Sequence, residues 1–199
     1  MLSKAHRPRY MFAVFLVASA VGLATMPAPA RAEVNGPTGT RIYAEMVRVG
    51  VDDEIAEANG FEVRVDRDGI EFAVPKGSPS DVDGTVAGPC GTSWVEWDQV
   101  DRLRHKAYID TGFTIFDGWP AAVSVPTWQT TVIDNYGTST REHGPILDVI
   151  APTHAWMGKY LLFVAGGSTP ASVHVNFGSA VLANGTICFS LNPWDYTDL

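Results

Sequence analysis

Six tryptophan residues offer the most specific ligand-binding chemistry in this chain, because an exposed indole ring presents a flat apolar face with a polar edge, which suits stacking on a sugar ring. Trp94 and Trp97 are three positions apart, so on a strand they point to opposite faces and one lies outside the core. Trp119 and Trp194 each adjoin a proline in a turn-like context. We therefore predict Trp97, Trp119 and Trp194 as binding residues, against the alternative that the tryptophans fill the core. The six are Trp94, Trp97, Trp119, Trp128, Trp156 and Trp194.

Nucleophilic catalysis has no sequence motif in this chain. There is no Gly-x-Ser-x-Gly, and residues 166–170 (Gly-Gly-Ser-Thr-Pro) have the composition of a turn. Glu96 and Asp98 lie two apart on a predicted strand and therefore share one face. Tyr108 and Asp110 do the same, and paired carboxylates can hydrolyse glycosides. We predict no catalytic residues, and a small hydrolase whose site only the fold assembles is the rival interpretation.

Metal ligands are equally sparse in the sequence. No pair of histidines has the i, i+2 or i, i+4 spacing of a zinc site. Residues 66–69 (Asp-Arg-Asp-Gly) and 81–84 (Asp-Val-Asp-Gly) begin like calcium loops, but neither continues with the third ligand and the closing Glu. Asp-Gly pairs are ordinary turn residues. We therefore predict turns at both places, no metal and no cofactor.

Cys90 and Cys188 are the two cysteines of the chain. In an oxidising compartment a lone pair most simply forms one disulfide, which here encloses about 98 residues. The alternative is a free catalytic cysteine, which needs a histidine partner, and none lies near either cysteine in sequence. The prediction is a Cys90–Cys188 disulfide.

Residues 1–32 have the layout of a cleavable export signal. Lys4, Arg7 and Arg9 precede the uncharged apolar run 11–23, and Ala30-Arg31-Ala32 ends the segment with a small-x-small cleavage site. The apolar run is shorter than the roughly 20 residues that a membrane-spanning helix needs. We predict that the signal peptide is removed and that the mature protein, starting near Glu33, is freely secreted.

The charge balance excludes two classes of partner. The chain has 14 Lys and Arg against 22 Asp and Glu, and the leader removes four basic residues and no acidic ones, so the net charge moves from −8 to −12. A surface of this sign repels phosphate backbones and anionic lipid. We therefore expect no nucleic-acid partner and no membrane association after signal cleavage.

Two regions follow the leader. Residues 33–89 predict an N-terminal arm, a short helix at about 52–58 that ends at Asn59-Gly60, a hairpin and a linker. In the hairpin, residues 61–65 and 70–74 alternate apolar and polar side chains on either side of the Asp66–Gly69 turn. Residues 75–89, rich in Pro, Gly, Ser and Asp, predict a loop.

Residues 90–199 predict an antiparallel β-sandwich of about the size of an immunoglobulin domain. The chain there is rich in Val, Ile, Thr and aromatic residues, and Asn184-Gly185 between two apolar stretches indicates a hairpin turn. The whole chain is therefore assigned to the mainly β class. The predicted strands lie near 92–97, 106–116, 121–133, 159–165, 171–177, 179–183 and 186–191.

Three stretches resemble a group of small secreted β-rich proteins of high-GC Gram-positive bacteria. They are residues 59–64 (Asn-Gly-Phe-Glu-Val-Arg), 88–95 (Gly-Pro-Cys-Gly-Thr-Ser-Trp-Val) and 111–113 (Thr-Gly-Phe). The resemblance covers about half of the mature chain. It implies an exported β-domain, and it carries over no activity and no site residues.

The sequence favours a secreted, non-catalytic β-domain that binds an extracellular polysaccharide through exposed tryptophans. A hydrolase is one alternative. The other is a module that binds or inhibits a secreted protein, for which residues 145–157, with their apolar side chains, are the candidate loop.

Overall fold

The computed structural model of the chain describes residues 41–80, 88–101, 104–143, 151–163 and 170–198. The predicted signal peptide at 1–32, the arm at 33–40 and the Asp-Gly sequence at 81–84 lie outside the described residues. Strands dominate what is described, and the mainly β, antiparallel fold class with a short helix and a hairpin near its start is confirmed. The elements are β1 Ile42–Val51, α1 Asp53–Ala58, β2 Phe61–Val65, β3 Glu71–Pro75, β4 Gly91–Asp101, β5 Lys106–Ile115, β6 Ala122–Asp134, β7 Gly137–Glu142, β8 Ala155–Phe163, β9 Pro170–Leu182, β10 Thr186–Ser190 and β11 Trp194–Asp198.

Nine of these strands form one antiparallel sheet that curls over its own core. Its order is β7-β6-β9-β10-β1-β4-β5-β8, with β11 pairing with the first half of β9. Curling brings the β6 side over the β5 side, so that the ring centroids of Phe113 and Trp128 lie 5.6 Å apart. The arrangement is sandwich-like, but both layers belong to a single sheet whose end strands are β7 and β8.

β1 lies at the centre of this sheet, between β10 and β4. Its sequence is ambiguous because Gly50 interrupts the apolar pattern, and the structure shows a register shift between Arg48 and Gly50 within a single strand. The large sheet therefore takes one strand from the region before residue 90. Of the described residues in that region, α1 and the β2–β3 hairpin lie outside the sheet.

The predicted helix and hairpin both form as expected. The Asp52 carboxylate accepts a hydrogen bond from the Ile55 N–H at 2.9 Å and caps α1, whose first turn is acidic. Gly60, at φ +85°, turns the chain into β2. In the hairpin turn Asp66 Oδ1 accepts the N–H groups of Asp68 and Ile70, each at 2.8 Å, so this carboxylate stabilises a turn.

Besides β1, three strands differ from the sequence-based expectation. β7 carries no apolar alternation, because all six of its residues are exposed at the end of the sheet. β11 follows Pro193 in what looks like a turn, yet pairs with β9 from Trp194 onward. β9 is one strand of 13 residues, where the sequence predicts two, because Gly178 lies within it and not at a turn.

The core is built from the inward faces of both layers. The indole of Trp128 is 1 % exposed and packs against Phe113 and Trp156. Its Nε1–H donates to the Thr111 hydroxyl at 2.9 Å, and that hydroxyl donates to the Trp94 carbonyl at 3.0 Å. The buried polar groups around this indole are thus satisfied within the core.

The predicted Cys90–Cys188 disulfide is present. Cys90 immediately precedes β4 and Cys188 lies in β10, on either side of β1. The Cys90 N–H donates to the Met46 carbonyl of β1 at 2.9 Å. The covalent bond therefore connects the two neighbours of the central strand.

No helix in the described ranges has the length and apolar composition needed to cross a bilayer.

Candidate functional site

Two of the three predicted binding tryptophans are inaccessible. Trp97 is 0 % exposed, because it lies on the inward face of β4. Trp119 is 7 % exposed: after Gly118 at φ +92° the chain folds back, and the indole joins the core. The expectation that these two side chains are exposed is therefore wrong. Of the pair three residues apart, Trp94 is the one outside the core cluster, as the strand geometry requires.

Trp194 is the accessible member of the three, at 41 % exposure. Its indole stacks on the His174 ring, with centroids 5.8 Å apart and planes 15° from parallel. β11 also lies beside β4, where the Trp97 N–H donates a hydrogen bond to the Asp195 carboxylate at 3.1 Å. Along β11, the exposed Trp194 and Tyr196 share one side of the strand and the buried Thr197 lies on the other side. The two aromatic rings therefore widen the exposed surface beside β4. A ligand-binding role for Trp194 stays a prediction.

A row of four charges crosses the outward side of the neighbouring strands. Glu96 of β4 lies directly opposite Asp110 of β5, and Asp110 lies directly opposite Lys159 of β8. Arg41, just before β1, completes the row with a guanidinium 3.2 Å from Glu96 Oε1. We call Arg41, Glu96, Asp110 and Lys159 the charged row, and the outward side of β1, β4, β5 and β8 the outer face.

The two carboxylates of the charged row are almost as buried as core residues, at 7 % exposure each. Lys159 forms an ion pair with Asp98, and its Nζ lies 3.5 Å from Asp110 Oδ1 without hydrogen-bond geometry. Burial raises the pKa of Asp110, while the charge of Lys159 opposes the rise. The row thus places two shielded, neighbouring carboxylates between a cation at either end.

Aromatic side chains flank the charged row. Tyr43, opposite Trp94 in register, is 57 % exposed, and Tyr108 is 37 % exposed with its ring 5.4 Å from Lys159 Nζ. Trp94 is covered by the Arg41 guanidinium, 3.9 Å from its ring. A Cβ at Gly112 would clash with the Trp156 carbonyl oxygen of β8 and would stand 3.0 Å from Cζ2 of the same Trp94 indole. The close approach of the β8 backbone therefore requires a glycine at this position.

The pairing of Glu96 with Asp110 does not follow from the sequence. Spacing along each strand correctly groups Glu96 with Asp98 and Asp110 with Tyr108, but it does not tell which residue of β4 lies opposite which residue of β5. A bulge between Trp97 and Gln99 shifts the pairing of β4 and β5, so counting back from the turn would join the wrong residues. The sequence offers one signal for this pairing, namely carboxylates at alternate positions of two adjacent predicted strands, Glu96 and Asp98 on one and Asp110 on the other.

Comparison with protein-family models, curated proteins and solved structures finds no match to this chain. The resemblance to small secreted β-rich proteins of high-GC Gram-positive bacteria stays an expectation.

A second polar cluster lies where the two end strands of the sheet approach each other. The Thr130 hydroxyl of β6 lies 2.6 Å from the Tyr160 hydroxyl of β8 and 3.0 Å from His143 Nε2, just after β7. The His143 ring also packs edge-on against Tyr160, with centroids 4.9 Å apart. Burial, reinforced by the charge of Arg141, lowers the pKa of His143 from 6.5 to about 4. This histidine is therefore a neutral hydrogen-bonding group at pH 7.

The depressed pKa of His143 predicts a pH-dependent stability. Above pH 6.5 the histidine is neutral in both the folded and the unfolded chain, whereas between about 6.5 and 4 only the unfolded chain takes up the proton. The free energy of unfolding should therefore fall as the pH drops through this window. Because the ring is only partly buried, we expect His143 to account for about 1–2 kcal/mol.

The measurement is urea unfolding of the wild type and His143→Gln at pH 7.5 and pH 4.5. The difference between the two proteins isolates His143 from carboxyl groups such as Asp110, whose raised pKa acts in the opposite sense. An equal loss of stability in both proteins would contradict the assignment.

Neither a metal site nor the candidate protein-binding loop at 145–157 provides a further functional site among the described residues. In the parts of the chain that the structure describes, no group of three or more His, Cys, Asp or Glu side chains is placed to hold a metal ion. The candidate protein-binding loop at 145–157 falls partly on residues 144–150, which lie outside the described residues. Within its described part, Trp156 is half-buried and packs on Phe113 and Trp128.

Proposed function

We infer that this protein is a secreted carbohydrate-binding domain and that its outer face takes the ligand. The observation that carries the proposal is the charged row set between exposed aromatic side chains on a rigid sheet. The predicted export signal at 1–32 and the Cys90–Cys188 disulfide support an extracellular location.

The chemistry of the outer face suits a sugar better than an apolar ligand. The partly exposed Arg41 and Lys159 side chains can donate to ring hydroxyls, and the neighbouring tyrosine rings can cover the C–H faces. Glu96 and Asp110 are already buried and lie beside cations, so a bound ligand would add little to the free-energy cost of desolvating these carboxylates. The row holds two cations and two carboxylates, and Asp98 adds one negative charge beside Lys159, so the outer face suits a neutral saccharide better than an anionic one.

The test is titration of the mature protein with cello-, xylo-, manno- and chito-oligosaccharides, followed by tryptophan fluorescence and calorimetry. We expect Tyr43→Ala and Tyr108→Ala each to weaken binding at least about tenfold, since a lost stacking contact of about 1.4 kcal/mol has that effect. Tyr136→Ala is the matched control, because Tyr136 is 80 % exposed but lies in the β6–β7 turn.

Two results would overturn the proposal. One is the absence of binding to every oligosaccharide tested. The other is binding that Tyr136→Ala weakens as much as the outer-face variants do, because the ligand would then lie elsewhere. Unfolding curves of the three variants check that a loss of binding is not a loss of fold.

A glycoside hydrolase is the second candidate, and the opposition of Glu96 and Asp110 favours it. Two carboxyl groups side by side are the usual catalytic pair of such enzymes, and burial raises the pKa of Asp110, as a general acid requires. The same titrations distinguish the two functions. Release of shorter sugars that ceases in Asp110→Asn, with binding retained, would make the outer face an active site.

A further inference from the structure

We propose that the gap between β7 and β8 is a second binding site, which takes an extended acidic segment of a partner polypeptide as an added strand on β8. The two strands are the ends of the curled sheet and are not hydrogen-bonded to each other. The site uses the backbone of β8 and the side chain of Arg141, and of the charged row it includes only the backbone of Lys159, not its side chain.

Within the described residues, no strand pairs with β8 on this side, so its backbone is available there. Ile115 is the register partner of His154, and its N–H donates to the His154 carbonyl at 2.7 Å. In an antiparallel pair such hydrogen-bonded positions alternate with positions that point away. The even-numbered residues of β8 therefore bond to β5, and the N–H and C=O groups of Lys159, Leu161 and Phe163 point into the gap.

The backbone of β7 is available in the same way. The His143 N–H donates to the Trp128 carbonyl at 2.7 Å, which makes the odd-numbered residues of β7 the ones bonded to β6. The N–H and C=O groups of Thr138, Thr140 and Glu142 then point toward β8. Seven successive antiparallel pairings separate the two strands, so β7 and β8 themselves run antiparallel.

Side chains shape a cleft in this gap. It has a volume of about 170 Å³ and is lined by three consecutive residues of each end strand, with Val132 at its base. Arg141 lies at its wall, its guanidinium 5.6 Å from the Tyr160 ring, and it forms no salt bridge with any described carboxylate. The Tyr160 ring that lines the cleft also packs against His143, which is neutral at pH 7. An arginine beside free strand edges is complementary to an acidic residue of an extended chain.

β8 also lacks the features that usually prevent an edge strand from pairing with another chain. It is nine residues long, lacks proline, and exposes Met157 at 59 % and Phe163 at 73 %. Its one lysine is engaged by Asp98 and so does not protect the edge. Natural sheets usually blunt or cover such strands. Because β7 faces β8 across the gap, an extended segment can approach this edge more readily than the folded edge of a second copy can.

The experiment selects nonapeptides from a random display library on the immobilised mature protein. Selected peptides are synthesised with a fluorescent label, and their affinity is measured by polarisation. We expect the peptides to share an Asp or Glu residue. Their affinity should fall at least about tenfold in Arg141→Gln, and equally when the acidic residue becomes its amide. Arg67→Gln, an exposed arginine of the β2–β3 turn, should bind as the wild type does.

Backbone methylation tests strand addition without altering the fold of the protein. Methylating the alternate peptide nitrogens that face β8 should abolish binding. Peptides that bind regardless of methylation at every position, or that are indifferent to Arg141→Gln, would overturn the proposal. So would a concentration-dependent dimer that the peptides dissociate, because a second copy of the chain would then be the occupant. Oligosaccharides should not compete, which separates this site from the outer face.

Discussion

Replacing Trp128 with alanine should lower the free energy of unfolding by about 3–5 kcal/mol, the largest loss expected from any single side chain described above. The indole is 1 % exposed, its ring contacts Phe113 and Trp156, and its Nε1–H satisfies the Thr111 hydroxyl. Truncation removes the apolar burial, leaves a cavity between the two layers, and deprives Thr111 of its donor. A domain of this size has only about 5–15 kcal/mol of stability to lose.

The effect is measured by urea unfolding followed by circular dichroism. Trp194→Ala is the matched control, because that indole is 41 % exposed and should cost less than about 1 kcal/mol. If the two variants lost equal stability, Trp128 would not be the centre of the packing. Trp128→Phe should recover part of the loss, since it restores aromatic volume without the hydrogen bond.

Removing the Cys90–Cys188 disulfide is expected to lower stability by up to about 4–5 kcal/mol, according to the loop-entropy relation for a closed loop of this length. The bonded residues are 98 positions apart, so the oxidised unfolded chain is far more restricted than the reduced one. Both side chains are buried, and alanine at both positions therefore avoids placing a new polar group in the core.

Unfolding of the wild type and of the Cys90→Ala, Cys188→Ala double variant is compared with and without a reducing agent. The wild type should lose stability on reduction, and the double variant should be insensitive to the reductant. A wild type that unfolds at the same urea concentration in both conditions would contradict the prediction. Intact mass before and after reduction confirms that the bond was present and was opened.

Local patterns in the sequence were sufficient where the structure is local. The helix at 53–58 and the hairpin around Asp66 follow from caps, turn residues and period-two alternation, all of which act over a few neighbours. β7 and the strand character of β1 could not be found this way. β1 gains its identity from β10 and β4, which lie far along the chain, and the exposed end strand β7 needs no apolar pattern.

The candidate sites depend on register, and register is what the sequence lacks. Trp94 and Trp97 were correctly expected on opposite faces, but which face is inward depends on the layer that covers β4. Glu96 and Asp110 meet only because of the bulge in β4. Thr130 of β6, His143 just after β7 and Tyr160 of β8 meet only because the sheet curls.

The position of the disulfide also decides how the molecule responds to tension. Among the described elements, β1 is the first that a pull from the N-terminal side reaches, and it can slide out from between β10 and β4 only by shearing both of its ladders together. The bond between Cys90 and Cys188 then prevents the 98-residue stretch that it closes from being extended by the force. At 3.3–3.6 Å per extended residue, this stretch represents about 320–350 Å of contour length that is not released. A stretched molecule would therefore lengthen by its terminal segments alone.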